Sequence, residues 1–207
     1  MGHKKTVRDG YNAIATEYLA SRTKKSADLQ LLDEFSQKLP AKAHVLDAGC
    51  GAGLPVTRDL SEKFDVTGVD FSEKQIELAK KNVSKATFIC QDMTELDFPA
   101  RSFDGICSFY SIIHIPREEH RMLLANFYRM LKPGGITLLC LGAEDLENDI
   151  EEDFHGQCMY WSHYDADTNK SMLNEIGFNI ILSKIVPDET YGGMHLFVLA
   201  QKGSPSK

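Results

Sequence analysis

The stretch Val45-Leu46-Asp47-Ala48-Gly49-Cys50-Gly51-Ala52-Gly53 decides the fold of this 207-residue chain. It joins a short apolar strand to a helix that we expect to begin near Pro55. The glycines allow the backbone to approach a ligand at the carboxyl end of a strand, where open α/β sheets bind their ligands. The dinucleotide fingerprint requires a third glycine at position 54 or 56, and Leu54 and Val56 stand there instead.

Strands and helices alternate outward from this unit. Ser72 and Gln75 form a capping box before one helical stripe, residues 118 to 131 carry another, and Ser162 or Asp165 caps a last helix that ends at Gly177. The expected strands are residues 44–46, 65–69, 87–90, 103–107 and 136–140. This alternation predicts an α/β fold, a doubly wound and mostly parallel sheet with helices on both faces.

Both ends of the chain depart from the alternation. Residues 1–40 have the periodicity of helices, and Pro40 ends that pattern. Near the other end, extended runs at 179–186 and 195–200 are separated only by turn residues, including Pro187-Asp188-Glu189. Because that connection is too short for a crossover helix, we expect the last two strands to be antiparallel neighbours.

Acidic residues follow the first three strands. Asp47 precedes the first glycine, where it would repel a pyrophosphate and attract an ammonium or sulfonium group. Asp70, with Phe71 beside it, suits a ribose and a purine face. Asp92 and Met93 suit an adenine amino group and the face of the base. Together the three carboxylates predict a site for a cationic adenosine compound.

In this order and spacing the motifs resemble those of class I S-adenosylmethionine-dependent methyltransferases. The segments that carry the likeness are 45–53, 66–72, 90–93, 103–114 and 131–135, and the likeness extends over about residues 10 to 202. Residues 9–18 are similar to the N-terminal helix of the family's small-molecule branch, in which domains of methyltransferase types 11 and 25 occur.

The resemblance implies a Rossmann-like sheet of seven strands with the last strand antiparallel. It implies a single domain over 1–207, divided into an N-terminal helical lid (1–40), a cofactor-binding core (44–142), a substrate-side insertion (143–164) and a final helix and β-hairpin (165–202). S-adenosyl-L-methionine is the implied cofactor and S-adenosyl-L-homocysteine its product. The implied cofactor-binding residues are Tyr11, Tyr18, Asp47, Gly49, Gly51, Asp70, Phe71, Asp92, Met93 and Ser108.

Methyl transfer requires alignment of the reactants more than strong acid or base groups. An acceptor that is a phenol, a hydroxyl or an ammonium must lose a proton, and His114 and His163 are then the candidate catalytic bases. A neutral amine, thiol or carboxylate needs no base. We expect the aromatic and histidine side chains of residues 155–164 to line the acceptor pocket, and the acidic run 144–153 to form a solvated helix or loop.

Composition restricts the partners. The chain has 23 Lys and Arg against 30 Asp and Glu, a net charge of −7, which disfavours nucleic acid and anionic membranes. It lacks an apolar run long enough to span a bilayer and the apolar core of a signal peptide, so we expect a soluble, cytoplasmic protein that acts on a small molecule. The five cysteines contain no Cys-x-x-Cys pair, and we expect no metal site.

Residue patterns also disfavour several other functions. The chain has Cys107-Ser108-Phe109-Tyr110 where enzymes that methylate the amino groups of nucleic-acid bases carry two prolines. Residues 108–116 hold no carboxylate for a metal-dependent catechol-type enzyme. A nicotinamide-dependent oxidoreductase is disfavoured by the glycine spacing and by Asp47. A cofactor-binding protein without catalytic activity remains an alternative, because these motifs indicate binding and not turnover.

Overall fold

The computed structural model describes residues 2–21, 27–188 and 192–203. The helices are α1 (His3–Ser21), α2 (Ala27–Gln37), α3 (Val56–Ser61), α4 (Glu73–Asn82), α5 (Arg117–Met130) and α6 (Ala166–Ile176). The strands are β1 (His44–Ala48), β2 (Asp65–Asp70), β3 (Thr87–Cys90), β4 (Phe103–Ser108), β5 (Leu131–Gly142), β6 (Leu146–Phe154), β7 (Gln157–His163), β8 (Phe178–Pro187) and β9 (Met194–Lys202).

Seven strands form one sheet in the order β3-β2-β1-β4-β5-β9-β8. The pairs among β1 to β5 are parallel, whereas β9 is antiparallel to both β5 and β8. The predicted mostly parallel sheet with its last strand antiparallel is therefore confirmed. Of the predicted turn before β9, Glu189 lies outside the described residues.

Apolar side chains cover both faces of the sheet. On one face Leu124 and Phe127 of α5 pack with Leu173 of α6, and on the other Phe35 of α2 packs with Leu60 of α3. All five side chains are fully buried, as the predicted helical stripes require. The expected helices on both faces are thus observed.

The predicted caps hold two helices in place. Ser72 Oγ accepts a hydrogen bond from Gln75 N at 3.1 Å, which satisfies a free backbone donor of α4. Of the two candidates for α6, the cap is Asp165, which accepts from Thr168 N at 2.8 Å. Ser162 lies instead within β7, where its hydroxyl accepts from Arg117 N at 3.0 Å.

The acidic run is a strand, so the expected helix or loop is wrong. It contributes β6, which pairs antiparallel with β7 to make a hairpin outside the main sheet. Residues 147–153 remain exposed, as their charges require, and Arg117 lies 2.8 Å from Asp145 and 3.4 Å from Glu147. Pairing with β7, whose Met159 and Tyr160 are buried, stabilises a strand that has no apolar face of its own.

Helix α1 and the hairpin share a separate apolar cluster. Val7 and Ile14 of α1 pack with Phe154 of β6 and with Met159 and Tyr160 of β7. A side chain at Gly10 would meet Met159 Cε at 3.1 Å, which shows how closely α1 approaches β7. We call α1 and the β6–β7 hairpin together the cap.

Among the described residues, no helix is both long and apolar enough to cross a membrane. Within the same ranges, His, Cys, Asp and Glu side chains form no group of three or more that could hold a metal ion.

Candidate functional site

A cavity opens where the strand order reverses between β1 and β4. Ligands bind at such switch points because the loops after the two strands diverge to opposite faces of the sheet. The cavity encloses about 1010 Å³ of space when its open mouth is included. Its lining comes from α1, the loops after β1 and β4, and the ends of β2 and β3: Lys4, Val7, Tyr11, Tyr18, Leu19, Asp47, Gly49–Ala52, Leu54, Val56, Val69, Asp70, Phe71, Gln75, Gln91, Asp92, Met93, Phe109–Ser111, His114 and Ile115.

The glycine loop forms the floor of the cavity. Gly49 has φ of +79°, and its N–H donates to Val69 O at 2.7 Å. A Cβ at this position would overlap the side chain of Ser111 and lie 3.0 Å from Met93 Cε. Ser111 Oγ in turn hydrogen-bonds Gly49 O at 3.1 Å, so the loops after β1 and β4 meet here. Only glycine fits this junction.

Asp47 lies at the end of β1 and is 1% exposed. Its Oδ2 accepts from Thr57 Oγ1 at 2.6 Å, and Cys107 Sγ lies 3.7 Å from Oδ1. Burial raises the pKa of Asp47 to about 6, and the nearby charge of Asp70 adds to the rise.

Asp70 ends β2 on the other side of the loop. It accepts hydrogen bonds from Gly51 N at 3.0 Å and from Ser72 N at 2.9 Å. Burial nevertheless raises the pKa of Asp70 to about 6, because two backbone donors do not replace full hydration. In the described part of the chain, neither Asp47 nor Asp70 forms an ion pair with a cationic side chain. The cavity therefore holds one buried carboxylate, Asp47, and one partly buried carboxylate, Asp70, both of which a cation would stabilise.

Asp92 has partners of its own. Its Oδ1 caps the short 3-10 helix Met93–Glu95 by accepting from Thr94 N and Thr94 Oγ1, both at 2.8 Å. Its Oδ2 lies 3.2 Å from Lys4 Nζ. Met93 packs against the main core, and Phe71 packs against the apolar cluster of the cap.

Helix α1 closes the cavity through His114. The imidazole Nδ1 lies 2.8 Å from the carbonyl oxygen of Tyr160, and Nε2 lies 2.9 Å from the hydroxyl of Tyr11. Because a carbonyl can only accept, Nδ1 must carry the proton, and the neutral ring then accepts from the Tyr11 hydroxyl at Nε2. Burial lowers the pKa of His114 to about 4, so the neutral form predominates near pH 7.

Two predicted residues do not line the cavity. Ser108 is fully buried in β4, and the lining after that strand begins at Phe109. His163 packs over Gly142, and its Nδ1 lies 2.8 Å from Glu144 O. The structure thus brings His114 to the cavity with nine of the ten predicted cofactor-binding residues, without Ser108 or His163.

None of residues 155–164 lines this cavity. Met159 and Tyr160 pack against α1, where Tyr160 stacks on His3 with 4.0 Å between ring centroids. The segment contacts His114 at the cavity wall through the Tyr160 carbonyl and through the ring of Trp161, whose centroid lies 4.2 Å from that of the imidazole.

Sequence reasoning missed several lining residues. Tyr110 and Ser111 follow β4, and Tyr110 has φ of +50°, a rare conformation that no sequence motif announces. Gln75 and Gln91 adjoin motif residues and could have been included on position alone. Lys4 carries no local signal, because only the docking of α1 brings it to the cavity.

Comparison with known proteins identifies the family. Residues 45–135 match the model of a methyltransferase domain. An O-methyltransferase of Pyrenophora dematioidea is 32% identical over 152 residues, which cover 67% of this chain and 55% of that protein. The O-methyltransferase rstn1 of Aspergillus nomiae is 26% identical over 201 residues, covering 85% of this chain and 88% of that protein. This chain belongs to the class I S-adenosylmethionine-dependent methyltransferases.

The fold of this methyltransferase is shared with solved structures. Magnesium protoporphyrin IX methyltransferase from Synechocystis PCC 6803 with bound SAH superimposes with a TM-score of 0.74 at 21% identity, covering 98% of this chain and all of the other. The chain spans about half the length of the first curated relatives that it matches, 55% and 45%.

Proposed function

We propose that this methyltransferase binds S-adenosylmethionine in the cavity and methylates a hydroxyl group of a small-molecule acceptor. The observation that carries the proposal is the pair of carboxylates, Asp47 and Asp70, which lie on either side of the glycine loop without a cationic partner among the described residues. When bound, S-adenosylmethionine supplies a methyl group on a positively charged sulfur. Its sulfonium and ammonium groups bring the positive charge that Asp47 and Asp70 lack, because Lys4, the cation in the described part of the cavity wall, is paired with Asp92 and Glu119.

The residues of the cavity fit this cofactor by position. Asp47 would hold the ammonium group, Gly49 and Gly51 would lie under the methionine moiety, and Asp70 would accept from the ribose hydroxyls. The adenine would lie between Phe71 and Met93, and Asp92 would accept from its amino group. Tyr11 and Tyr18 would cover the ligand from α1. The packing of Gly49 against Ser111 and Met93 supports this arrangement, because only a residue without a side chain fits at this point of the floor.

Tyr11 and His114 would remove the acceptor's proton. Tyr11 takes the hydroxyl proton of the acceptor on its phenol oxygen while it passes its own proton to Nε2 of His114. The acceptor oxygen then forms the new bond to the methyl carbon as the bond from that carbon to sulfur breaks. His114 ends as an imidazolium whose Nδ1–H still donates to Tyr160 O. Because the positive charge leaves sulfur as it arrives on the imidazole, the net charge of the cavity does not change.

We assign this role to His114 rather than His163 because only His114 lines the cavity. The O-methyltransferase names of two relatives support a hydroxyl acceptor. The thiols Cys50, Cys90, Cys107 and Cys158, none of which forms a disulfide in the described part of the chain, support a reducing compartment, the cytoplasm, as the place of action. Fractionation of cells that produce the protein tests this location.

Two measurements test the proposed function. Isothermal titration calorimetry with S-adenosylmethionine, S-adenosylhomocysteine and NADH should show heat with the first two only, and binding of NADH alone would contradict the proposal. A coupled assay for S-adenosylhomocysteine release across phenols, alcohols, amines, thiols and carbon acids should give turnover with hydroxyl compounds. Turnover confined to amines would keep the cofactor and overturn the hydroxyl acceptor.

A further inference from the structure

Lys4 reaches from the first turn of α1 to the edge of the cavity. Its Nζ lies 3.2 Å from Asp92 Oδ2, 2.7 Å from Thr94 Oγ1 and 2.6 Å from Glu119 Oε2. An ammonium group has three donors, and these three acceptors match that number. Of the two carboxylates that Lys4 joins, Asp92 lines the cavity and Glu119, on α5, does not. Lys4 therefore links the cap to both the cavity edge and the main body.

The hydrogen bonds of Asp92 leave one direction open. Its Oδ1 already accepts two donors from Thr94, the usual capacity of a carboxylate oxygen. Its Oδ2 accepts only from Lys4 among the described residues and keeps one lone pair. A ligand amino group at the cavity edge can use that lone pair, and the Lys4 ammonium fixes the direction in which it points.

We propose that Lys4 is a positioning residue that sets Asp92 for an exocyclic amino group and so selects adenine over a base that carries oxygen there. The proposal rests on the proposed function, which places adenine at Asp92. Lys4 would not touch the amino group itself, because its three donors are already used. Its charge also offsets the repulsion between the Asp92 and Glu119 carboxylates and so keeps Asp92 in place.

The test compares two ligands that differ at one exocyclic heavy atom of the base and in the hydrogen on the neighbouring ring nitrogen. S-adenosylhomocysteine carries the amino group, and S-inosylhomocysteine carries a carbonyl oxygen in its place. Calorimetry measures the affinity of both for the unaltered protein, for Lys4→Met and for Lys5→Met. Lys5 is the matched control because it lies next to Lys4 on α1 and forms an exposed ion pair with Asp9.

We expect Lys4→Met to lower the affinity for S-adenosylhomocysteine about fivefold to tenfold, because a charge-assisted contact that orients Asp92 is lost. Affinity for S-inosylhomocysteine should change by less than about twofold, and Lys5→Met should leave both ligands unchanged. An equal loss for both ligands would show that Lys4 only holds the cap closed. Unchanged or stronger binding of S-adenosylhomocysteine would show that Lys4 competes with the ligand for Asp92. Either result would overturn the proposal.

A second variant guards against a general effect of removing a charge from α1. Glu119→Gln leaves Lys4 and the cavity wall in place and weakens one anchor of the ammonium. It should lower the preference for S-adenosylhomocysteine over S-inosylhomocysteine in the same direction, by a smaller factor. If the unaltered protein bound neither ligand, the proposed function would fail. If it bound S-adenosylhomocysteine but every variant kept the same ligand preference, only the role of Lys4 would be contradicted.

Discussion

The hydroxyl of Tyr11 lies 2.9 Å from Nε2 of His114, a residue 103 positions further along the chain. This contact joins the cap to the loop after β4, and the Tyr160 carbonyl on Nδ1 defines the tautomer of the imidazole. It also places a phenol and a neutral base in series at the wall of the cavity. The proposed proton transfer depends on this pair.

Removing the pair should slow catalysis and spare cofactor binding. His114→Asn keeps a donor near Tyr160 O and removes the partner of the Tyr11 hydroxyl, and Tyr11→Phe removes the hydroxyl itself. Each change should lower kcat about 100-fold, the scale of general-base catalysis, with the affinity for S-adenosylhomocysteine within about twofold. Release of S-adenosylhomocysteine and calorimetry give the two quantities. Tyr128→Phe, at a tyrosine of α5 that does not line the cavity, is the control, and an unchanged kcat in both Tyr11→Phe and His114→Asn would contradict the role.

Neutralising Asp47 should stabilise the ligand-free protein and lower its affinity for S-adenosylmethionine. The folded pKa of about 6 lies above the ordinary value of 3.8, so the free energy of unfolding falls as pH rises between these values. Asp47→Asn should therefore gain about 1 to 2 kcal/mol near neutral pH, since roughly 3 kcal/mol of charge burial is relieved and the new amide donor is partly unsatisfied. The gain should disappear near pH 4.

Urea unfolding at several pH values measures this gain, and calorimetry should show at least a tenfold loss of affinity for S-adenosylmethionine. Asp97→Asn, at a side chain 96% exposed, is the control. A destabilised Asp47→Asn protein at neutral pH would refute the view that Asp47 carries an uncompensated charge.

Cofactor affinity should depend on pH through the same carboxylates. A cationic ligand prefers ionised Asp47 and Asp70, so its affinity should be constant well above pH 6 and fall as the solution is acidified through pH 6. His114, whose pKa is lowered to about 4, does not titrate in this window. Calorimetry between about pH 5 and pH 8 gives the slope, which Asp47→Asn should reduce. A flat profile would exclude both carboxylates from the binding site.

Glycine at position 49 should be required for its space as well as for its backbone angle. Gly49 and Gly156 have nearly the same φ, +79° and +77°, but a Cβ at Gly156 meets nothing within 4 Å, whereas one at Gly49 overlaps Ser111. Gly156→Ala should cost about 1 kcal/mol of stability from the left-handed conformation alone. Gly49→Ala should cost more and abolish cofactor binding. Thermal unfolding and calorimetry test both, and equal effects would show that the clash with Ser111 is relieved easily.

Local sequence was sufficient to predict the sheet and the floor of the cavity. The strands β1 to β4 read as short apolar runs, and the glycine loop, Asp70 and Asp92 follow them directly. Since the carboxyl ends of parallel strands meet at one edge, chain order alone brings these residues together. The caps at Ser72 and Asp165 could be predicted because each side chain accepts a hydrogen bond from a backbone N–H only three residues away.

The acidic strand β6 could not be predicted from its sequence. Its residues 147–153 are exposed, so no alternation of apolar and polar positions marks it as a strand. It exists because β7 lies beside it and buries Tyr160 against α1. A capped helix is stabilised by a residue of its own segment, whereas β6 is stabilised by a different segment, the neighbouring strand β7.

The sequence by itself determined the fold class, the antiparallel last strand and the carboxylates that line the cavity, because each depends on neighbours along the chain. Only the tertiary structure decided that Tyr11 bonds to His114, that His163 and residues 155–164 stand outside the cavity, and that Lys4 reaches Asp92. These contacts form between segments that are brought together by the packing of α1 on the hairpin. Their geometry depends on how two apolar surfaces meet, and no local pattern of residues encodes that relation.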